Sequence, residues 1–298
     1  MQLYKHKVDG FIWVLDPNDG GIGRTLLSNQ TKGSDYQFAR ECGFMNLMNE
    51  TIKPGMVCVD LGSNIGYATM FMLRNASQTG YVYAIEPDDH NLKFLVENIN
   101  INGYLSKDRC EIIKCLISKD DCDMPFWIAK HPNLNSVNKT KHSIRQETLR
   151  AYSLESFLKD RKYPNFIKMD IEGHEVSVFN GGFNYFKKNR GTTHILLEIH
   201  PSEYNENNNF EEALRKYFSI GFKCSNIIAT PNPQPLLFKN LGLTPAKIFS
   251  SDGFTRGLYR DVPDEAAIEI ASKENSELMT NGSYAKKVAR SIMLSRHE

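Results

Sequence analysis

The chain has 298 residues, 41% of them hydrophobic and 24% charged, with a formal net charge of +1. Those proportions support a large buried core, as in a soluble globular protein of one large domain with appendages or two small ones. Lys and Arg are scattered among acids with no long basic run, which argues against nucleic-acid binding, since that needs a concentrated positive face.

The opening residues, MQLYKHKVDGFIWVLD, hold an apolar run too short and too interrupted for a signal peptide, and no later segment reaches membrane-spanning length. A cytoplasmic protein with no membrane contact is the expectation. Six cysteines without a Cys-x-x-Cys pair, several of them in apolar strands, read as buried thiols. Residues 10–29 suggest a hairpin turning at Asp16-Pro17-Asn18-Asp19-Gly20-Gly21, and Ser34 could cap a helix carrying Phe38, Phe44, Leu47 and Met48. Residues 1–51 are thus expected to form a hairpin-and-helix cover on something larger.

From 52 to about 226 strands and helices alternate, and residues 52–245 are expected to form one domain. MVCVDL (56–61) is a continuous β-branched and apolar run, YATMFMLRNA (67–76) is helical, and GYVYAIEP (80–87) is a second strand. DDHNLKFLVENININGY (88–104) has acids at its start and Asn102-Gly103 at its end, the chemistry of helix caps. Further strands are predicted at 110–118, 165–171 and 194–200, with helices at about 153–161, 174–188 and 210–220. This alternation predicts an α/β fold whose sheet is mostly parallel with helices on both faces, so ligands belong at the carboxyl ends of the strands. Gly181-Gly182 is expected to interrupt a helix where it packs closely on a strand. Residues 246–298 are read as a last strand followed by a helical C-terminal tail, with Ala285, Val288, Ala289, Ile292 and Met293 on one stripe.

The first strand runs into Asp60-Leu61-Gly62-Ser63-Asn64-Ile65-Gly66. Glycines let such a turn approach a ligand, and the following helix offers unpaired N–H groups. Asn64 stands where a dinucleotide loop needs its second glycine, which disfavours NAD. An acid just before the first glycine suits a ligand with a positive amino group, as S-adenosylmethionine has. Glu86, twenty residues beyond Gly66 at the end of the second strand, can accept bonds from both hydroxyls of an adenosine ribose. Ile117 and Ser118, at the end of the third strand, could flank the adenine.

In NFIKMDIEGHEVSVFNGG (165–182) the acids Asp170, Glu172 and Glu175 crowd with His174 where an apolar strand ends. Crowded carboxylates need a cation among them. Lys168, two residues before Asp170 and so on the same strand face, is the preferred counter-charge. A divalent metal held by Asp170, Glu198 and a histidine is the alternative. Glu175 also reads as an acid favoured at a helix N-terminus.

Together, VCVDLGSNIGYATMFML, YAIEPDDHNLKFLVENININGY and FIKMDIEGHEVSVFNGG resemble the FkbM-type methyltransferases, with the Lys-x-Asp-x-Glu-Gly-His-Glu core as the most specific part and ILLEIHP (195–201) following. The resemblance covers about residues 52–203. It implies a Rossmann-like methyltransferase sheet, S-adenosylmethionine as cofactor, and methyl transfer to a hydroxyl of a small-molecule or carbohydrate (glycan) acceptor. It places Asp60, Gly62, Asn64, Gly66 and Glu86 at the cofactor and Asp170 to Glu175 at the active site; Ser63, in the same cofactor loop, stands where the family often has Ala. A hydroxyl acceptor needs a base, for which Asp170, His174 and His200 are the candidates. The rival readings are an NAD-dependent oxidoreductase or epimerase of a sugar nucleotide, and a non-catalytic binding module of the same fold.

Overall fold

The computed structural model describes residues 4–17, 21–27, 40–200, 203–229, 236–251, 254–272 and 289–298. β1 (Tyr4–Val8) and β2 (Phe11–Leu15) form an antiparallel hairpin. Its turn is Asp9-Gly10, with φ of 55° and 84°, the left-handed pair that a two-residue hairpin turn requires. The hairpin expected over 10–29 is therefore displaced. After Asp16 the chain forms a short helix, α1 (Ile22–Leu27), and then α2 (Cys42–Thr51). Ser34 and Phe38, expected to start the second helix, lie outside the described residues.

The alternating region begins with β3 (Val57–Leu61), α3 (Tyr67–Ala76), β4 (Tyr81–Ile85), α4 (Asp89–Ile101) and β5 (Cys110–Ile113). Asp88 caps α4 by accepting from the Asn91 N–H at 3.0 Å, as the acids before that helix predict. The strand expected over 110–118 breaks after Ile113. Its second half, β6 (Leu116–Ser118), joins a separate sheet with β7 (Cys122–Ala129) and β8 (Ser143–Ser153) in the order β6-β8-β7. Next come α5 (Leu154–Leu158), β9 (Phe166–Met169), α6 (Glu175–Lys188), β10 (Thr193–Glu198), α7 (Phe210–Ser219) and β11 (Lys223–Ala229). The chain closes with α8 (Leu236–Asn240), β12 (Lys247–Ser251), β13 (Phe254–Arg260), α9 (Asp264–Ala271) and β14 (Ala289–Arg296).

The main sheet has the order β12-β13-β11-β14-β10-β9-β3-β4-β5. Its half from β10 to β5 is wholly parallel, as expected. From β14 to β12 neighbours run antiparallel, because β13 and β14 are reversed. Both faces are buried. Val57, Val59 and Leu61 of β3 enter one apolar cluster with α6 and α7, while Cys58 enters the other with the N-terminal hairpin, α2 and α3. Burial on both sides is why the strands read as unbroken apolar runs.

Two expectations change here. The C-terminal tail is a strand over 289–296, not a helix. Its Ile292 and Leu294 face one cluster and Met293 the other, a period of two rather than 3.6. Arg296 anchors it, donating to the Phe186 and Asn189 carbonyls at 2.7 and 2.8 Å. Ala285 and Val288 of the expected stripe lie outside the described residues. Gly181 and Gly182 sit within an uninterrupted α6. A Cβ on Gly181 would stand 2.2 Å from the Ser118 carbonyl oxygen, so this glycine lets the helix lie against the end of β6.

Candidate active site

The chain leaves β3 for β4 and β5 on one side and later returns to β9 and β10 on the other. The crevice at such a reversal, beyond the carboxyl ends of the strands, is where open α/β sheets bind ligands. A cleft lies there, walled by the loop after β3, the residue after β4, β6, and the ends of β9 and β10.

One wall is the glycine loop. Gly62 has φ of 78°, and a Cβ there would stand 2.2 Å from the Asp170 carbonyl oxygen; no side chain fits between the two strand ends. Ser63 donates to the Asp60 carbonyl at 2.9 Å, and Gly66 begins α3. Asn64 takes a left-handed φ of 50° and its N–H donates to Glu86 Oε2 at 2.7 Å. Glu86, 4% exposed, also accepts from the Asp88 N–H at 3.0 Å and Asn91 Nδ2 at 3.3 Å. Burial raises its pKa to about 7 against the pull of those donors. Gly62, Ser63, Asn64, Glu86 and Ile117 line the cleft. Ser118 is turned to His174, its Oγ 2.9 Å from Nε2.

Asp60 departs from its expected place. It is 0% exposed and lies behind the cleft wall, accepting from Thr69 Oγ1 at 2.6 Å and pairing with Lys168 Nζ at 3.2 Å. The two are direct cross-strand neighbours on β3 and β9. Asp60 thus meets Lys168 and α3 and is not among the residues that line the cleft. Lys168 in turn donates to the Gly62 carbonyl at 2.8 Å and so holds the glycine loop. Burial works to lower its pKa, but Asp60 and then Asp170 outweigh it, and the net shift is upward. Lys168 is therefore cationic, with Asp60 as its ion-pair partner; its field reaches Asp170 only as a second interaction.

The opposite wall is acidic. Asp170 follows β9, Glu198 ends β10, and both line the cleft with Glu172 and His174. Burial and then the Glu198 charge raise the Asp170 pKa, while Lys168 and His200 oppose them. His174 is lowered to about 4 by burial and its Nε2 is engaged by Ser118, so it is a weak proton acceptor. His200, 6% exposed, has Nδ1 2.8 Å from Glu175 Oε1, while Nε2 stands 3.5 Å from Glu172 Oε2 and 4.0 Å from Glu198 Oε1. Glu175, at the start of α6, is 0% exposed. It accepts from the Gly173 N–H at 3.0 Å and the Tyr204 hydroxyl at 3.3 Å as well. Burial works to raise its pKa, but the bond and charge of His200 reverse this to a net lowering.

Glu175 is thus more than an acid at a helix end: it orients His200. Tyr204, whose hydroxyl also accepts from the His200 N–H at 3.0 Å, was not legible in the sequence, and neither was the Arg40–Glu41 pair at the cleft rim, 2.9 Å apart. A histidine four residues before a tyrosine carries no signal until the loop after β10 folds back. Donor atoms of Asp170, Glu172 and His200 all lie within 4.8 Å of one another, a metal-ligand spacing that contains Glu172 in place of the expected Glu198.

Among the described residues, no helix is long and apolar enough to cross a membrane. A search of curated proteins returned no match. Similar solved structures include methyltransferase FkbM from Methylobacillus flagellatus KT, at 16% identity and a TM-score of 0.42, over 72% of this chain and 50% of that one. A SAM-dependent O-methyltransferase from Thermotoga maritima matches at 14% identity and a TM-score of 0.40, over 86% and 64% of the two chains. An O-methyltransferase from Bacillus cereus in complex with SAH matches at 12% and 0.39, over 86% and 79%. The chain spans about half the length of the Methylobacillus protein. The sequence profile described as the methyltransferase FkbM domain matches residues 60–224, from Asp60 through both strand ends that wall the cleft. That match covers more than half of the sequence, and the chain belongs to the FkbM methyltransferase family.

Proposed function

We propose that the protein is an S-adenosylmethionine-dependent methyltransferase whose acceptor is a hydroxyl oxygen of a small molecule or carbohydrate. One observation carries this: a single cleft joins Glu86 and the glycine loop to Asp170, Glu172 and Glu198, with His200 beside the last two. The donor set fits the cofactor. A buried carboxylate with a pKa near neutrality suits ribose hydroxyls, the backbone of Gly62 to Asn64 borders the same space, and Ile117 offers an apolar wall for adenine. The cofactor supplies an electrophilic methyl group on a sulfonium.

The protein's part is placement and proton removal. Holding the acceptor oxygen in line supplies much of the acceleration. Asp170, made more basic by burial and by Glu198, would accept the proton that the acceptor hydroxyl gives up. His200, set by Glu175, and Lys168 limit the cost of the negative charge in this wall. The oxidoreductase reading is weakened by Asn64, whose side chain stands where a pyrophosphate would need a glycine and whose N–H is committed to Glu86.

Calorimetric titration with S-adenosylmethionine and with NAD tests the reading, followed by incubation with labelled cofactor and a metabolite extract and mass analysis for one added methyl. Tight binding of NAD alone would overturn it.

Glu86 adds a pH signature. Ribose hydroxyls donate to the ionised carboxylate, and its pKa of about 7 means that binding below that pH must expel a proton. S-adenosylhomocysteine affinity should therefore weaken by up to about tenfold per pH unit below ~7 and gain nothing from Glu86 above it. The ratio of wild-type to Glu86→Gln dissociation constants, measured by calorimetry across this range, isolates the effect from titration of the ligand. A ratio independent of pH would remove Glu86 from the ribose site.

A further inference from the structure

We propose that Arg40 and Glu41, supplied by the N-terminal cover, hold the amino-acid end of the cofactor, Arg40 by its carboxylate and Glu41 by its ammonium. The assignment rests on the S-adenosylmethionine reading. It concerns residues outside the matched family domain, which begins at Asp60.

The glycine loop gives the cleft a direction. At one point of that loop the Asn64 N–H donates to Glu86 Oε2 at 2.7 Å, and three residues on the Tyr67 hydroxyl accepts from the Arg40 N–H at 3.3 Å. One short loop therefore touches the ribose carboxylate and the Arg40–Glu41 pair. Arg40, Glu41, Asn64, Tyr67 and Glu86 all line the same cleft. A cofactor whose adenine meets Ile117 and whose ribose meets Glu86 brings its amino-acid end to Arg40 and Glu41 by following this loop.

Charge supplies an independent reason. The amino-acid end is a zwitterion that carries a cation and an anion on one carbon atom. Arg40 and Glu41 also set a cation beside an anion, with Nε and Nη2 each donating to Oε1 at 2.9 Å. Two ion pairs laid head to tail attract, and a guanidinium presents a planar fork that matches a carboxylate. It has five N–H donors and a carboxylate has about four acceptor sites, so the bond between the two side chains does not exclude a ligand. They are 22% and 16% exposed, which strengthens such contacts relative to open water. Asp60, the acid expected to meet the ammonium, does not line the cleft, whereas Glu41 does. The Glu41 charge also acts on Lys168 and Asp170, which puts it at the Asp170 end.

The fold holds the pair in place. Glu41 starts α2 with a left-handed φ of 48°. The Tyr67 hydroxyl that meets Arg40 donates to Asp9 Oδ2 at 2.6 Å, in the turn of the β1–β2 hairpin. Hairpin, α2 and glycine loop thus converge on Tyr67, and the N-terminal cover becomes part of the cofactor site.

Calorimetric titration with S-adenosylhomocysteine, its decarboxylated analogue, its deaminated analogue and 5′-methylthioadenosine, which lacks both charged groups, decides the matter. Glu41→Gln should weaken S-adenosylhomocysteine and the decarboxylated analogue by about 10–100-fold, and Arg40→Met should weaken S-adenosylhomocysteine and the deaminated analogue by a similar factor. Neither substitution should weaken 5′-methylthioadenosine. Equal losses for every ligand, the mark of a loop or fold that has lost its shape, overturn the proposal, and so does the absence of any loss. Wild-type protein that binds none of these ligands refutes the cofactor reading and the assignment with it. Wild-type binding without the crossed pattern in the variants refutes the assignment alone.

Discussion

Asp170→Asn is expected to slow methyl transfer by about 10²–10⁴-fold, the range over which a positioned general base acts, while binding of S-adenosylhomocysteine persists. Asparagine preserves the shape but cannot take the acceptor's proton. The backbone that sets the glycine loop is untouched, because Gly62 packs under the carbonyl of residue 170 and the Asp170 N–H bonds to the Leu61 carbonyl at 3.2 Å. Folding should not suffer. The Asp170 pKa is raised in the folded protein by burial and by Glu198, so its ionisation opposes folding at neutral pH, and an uncharged amide removes that opposition. Unfolding midpoints and single-turnover rates on the same sample check both halves. A rate within tenfold of wild type would remove Asp170 from the proton transfer.

Lys168→Met should destabilise the fold by about 3–5 kcal/mol, the cost of stranding a buried charge. That is a large share of the roughly 5–15 kcal/mol available to a domain. Asp60 is 0% exposed and its Thr69 bond accounts for one oxygen, so the loss of Nζ leaves the other facing a core. Lys168 also holds the Gly62 carbonyl, and cofactor affinity should fall with stability. Asp60→Asn combined with Lys168→Met removes both charges and should recover most of the loss. Urea unfolding of the two single variants and the double variant measures the coupling directly. A cost below about 1 kcal/mol for Lys168→Met alone would mean that water reaches Asp60, contrary to its burial.

Much of this site is legible in the sequence for reasons that are local. A strand buried on both faces must be apolar at every position, which is why VCVDL and FIKM stand out. Only glycine tolerates the approach of the loop after β3 to the Asp170 carbonyl. Glu86 must come directly after the second strand to meet that loop. Where a decision is not local, sequence misleads. The helical stripe read into the C-terminus and the strand observed over 289–296 draw on the same apolar residues, and a short apolar run does not declare its period until both faces are covered. The early hairpin turns at Asp9-Gly10, a stronger two-residue turn signal than the longer run at 16–21.

What the sequence determined is therefore the alternation of strands and helices, the glycine loop, and the presence of acids at a strand end, since backbone geometry and two-sided burial constrain each residue in place. What only the tertiary structure decided is which of those charges meet. Asp60 and Lys168 become partners because β3 and β9 lie side by side, although more than a hundred residues separate them. Glu175 reaches His200, and His200 reaches Glu172, because the loop after β10 returns to the start of α6. Electrostatic interaction depends on distance in space, and sequence spacing reports that distance only within one strand or one helix.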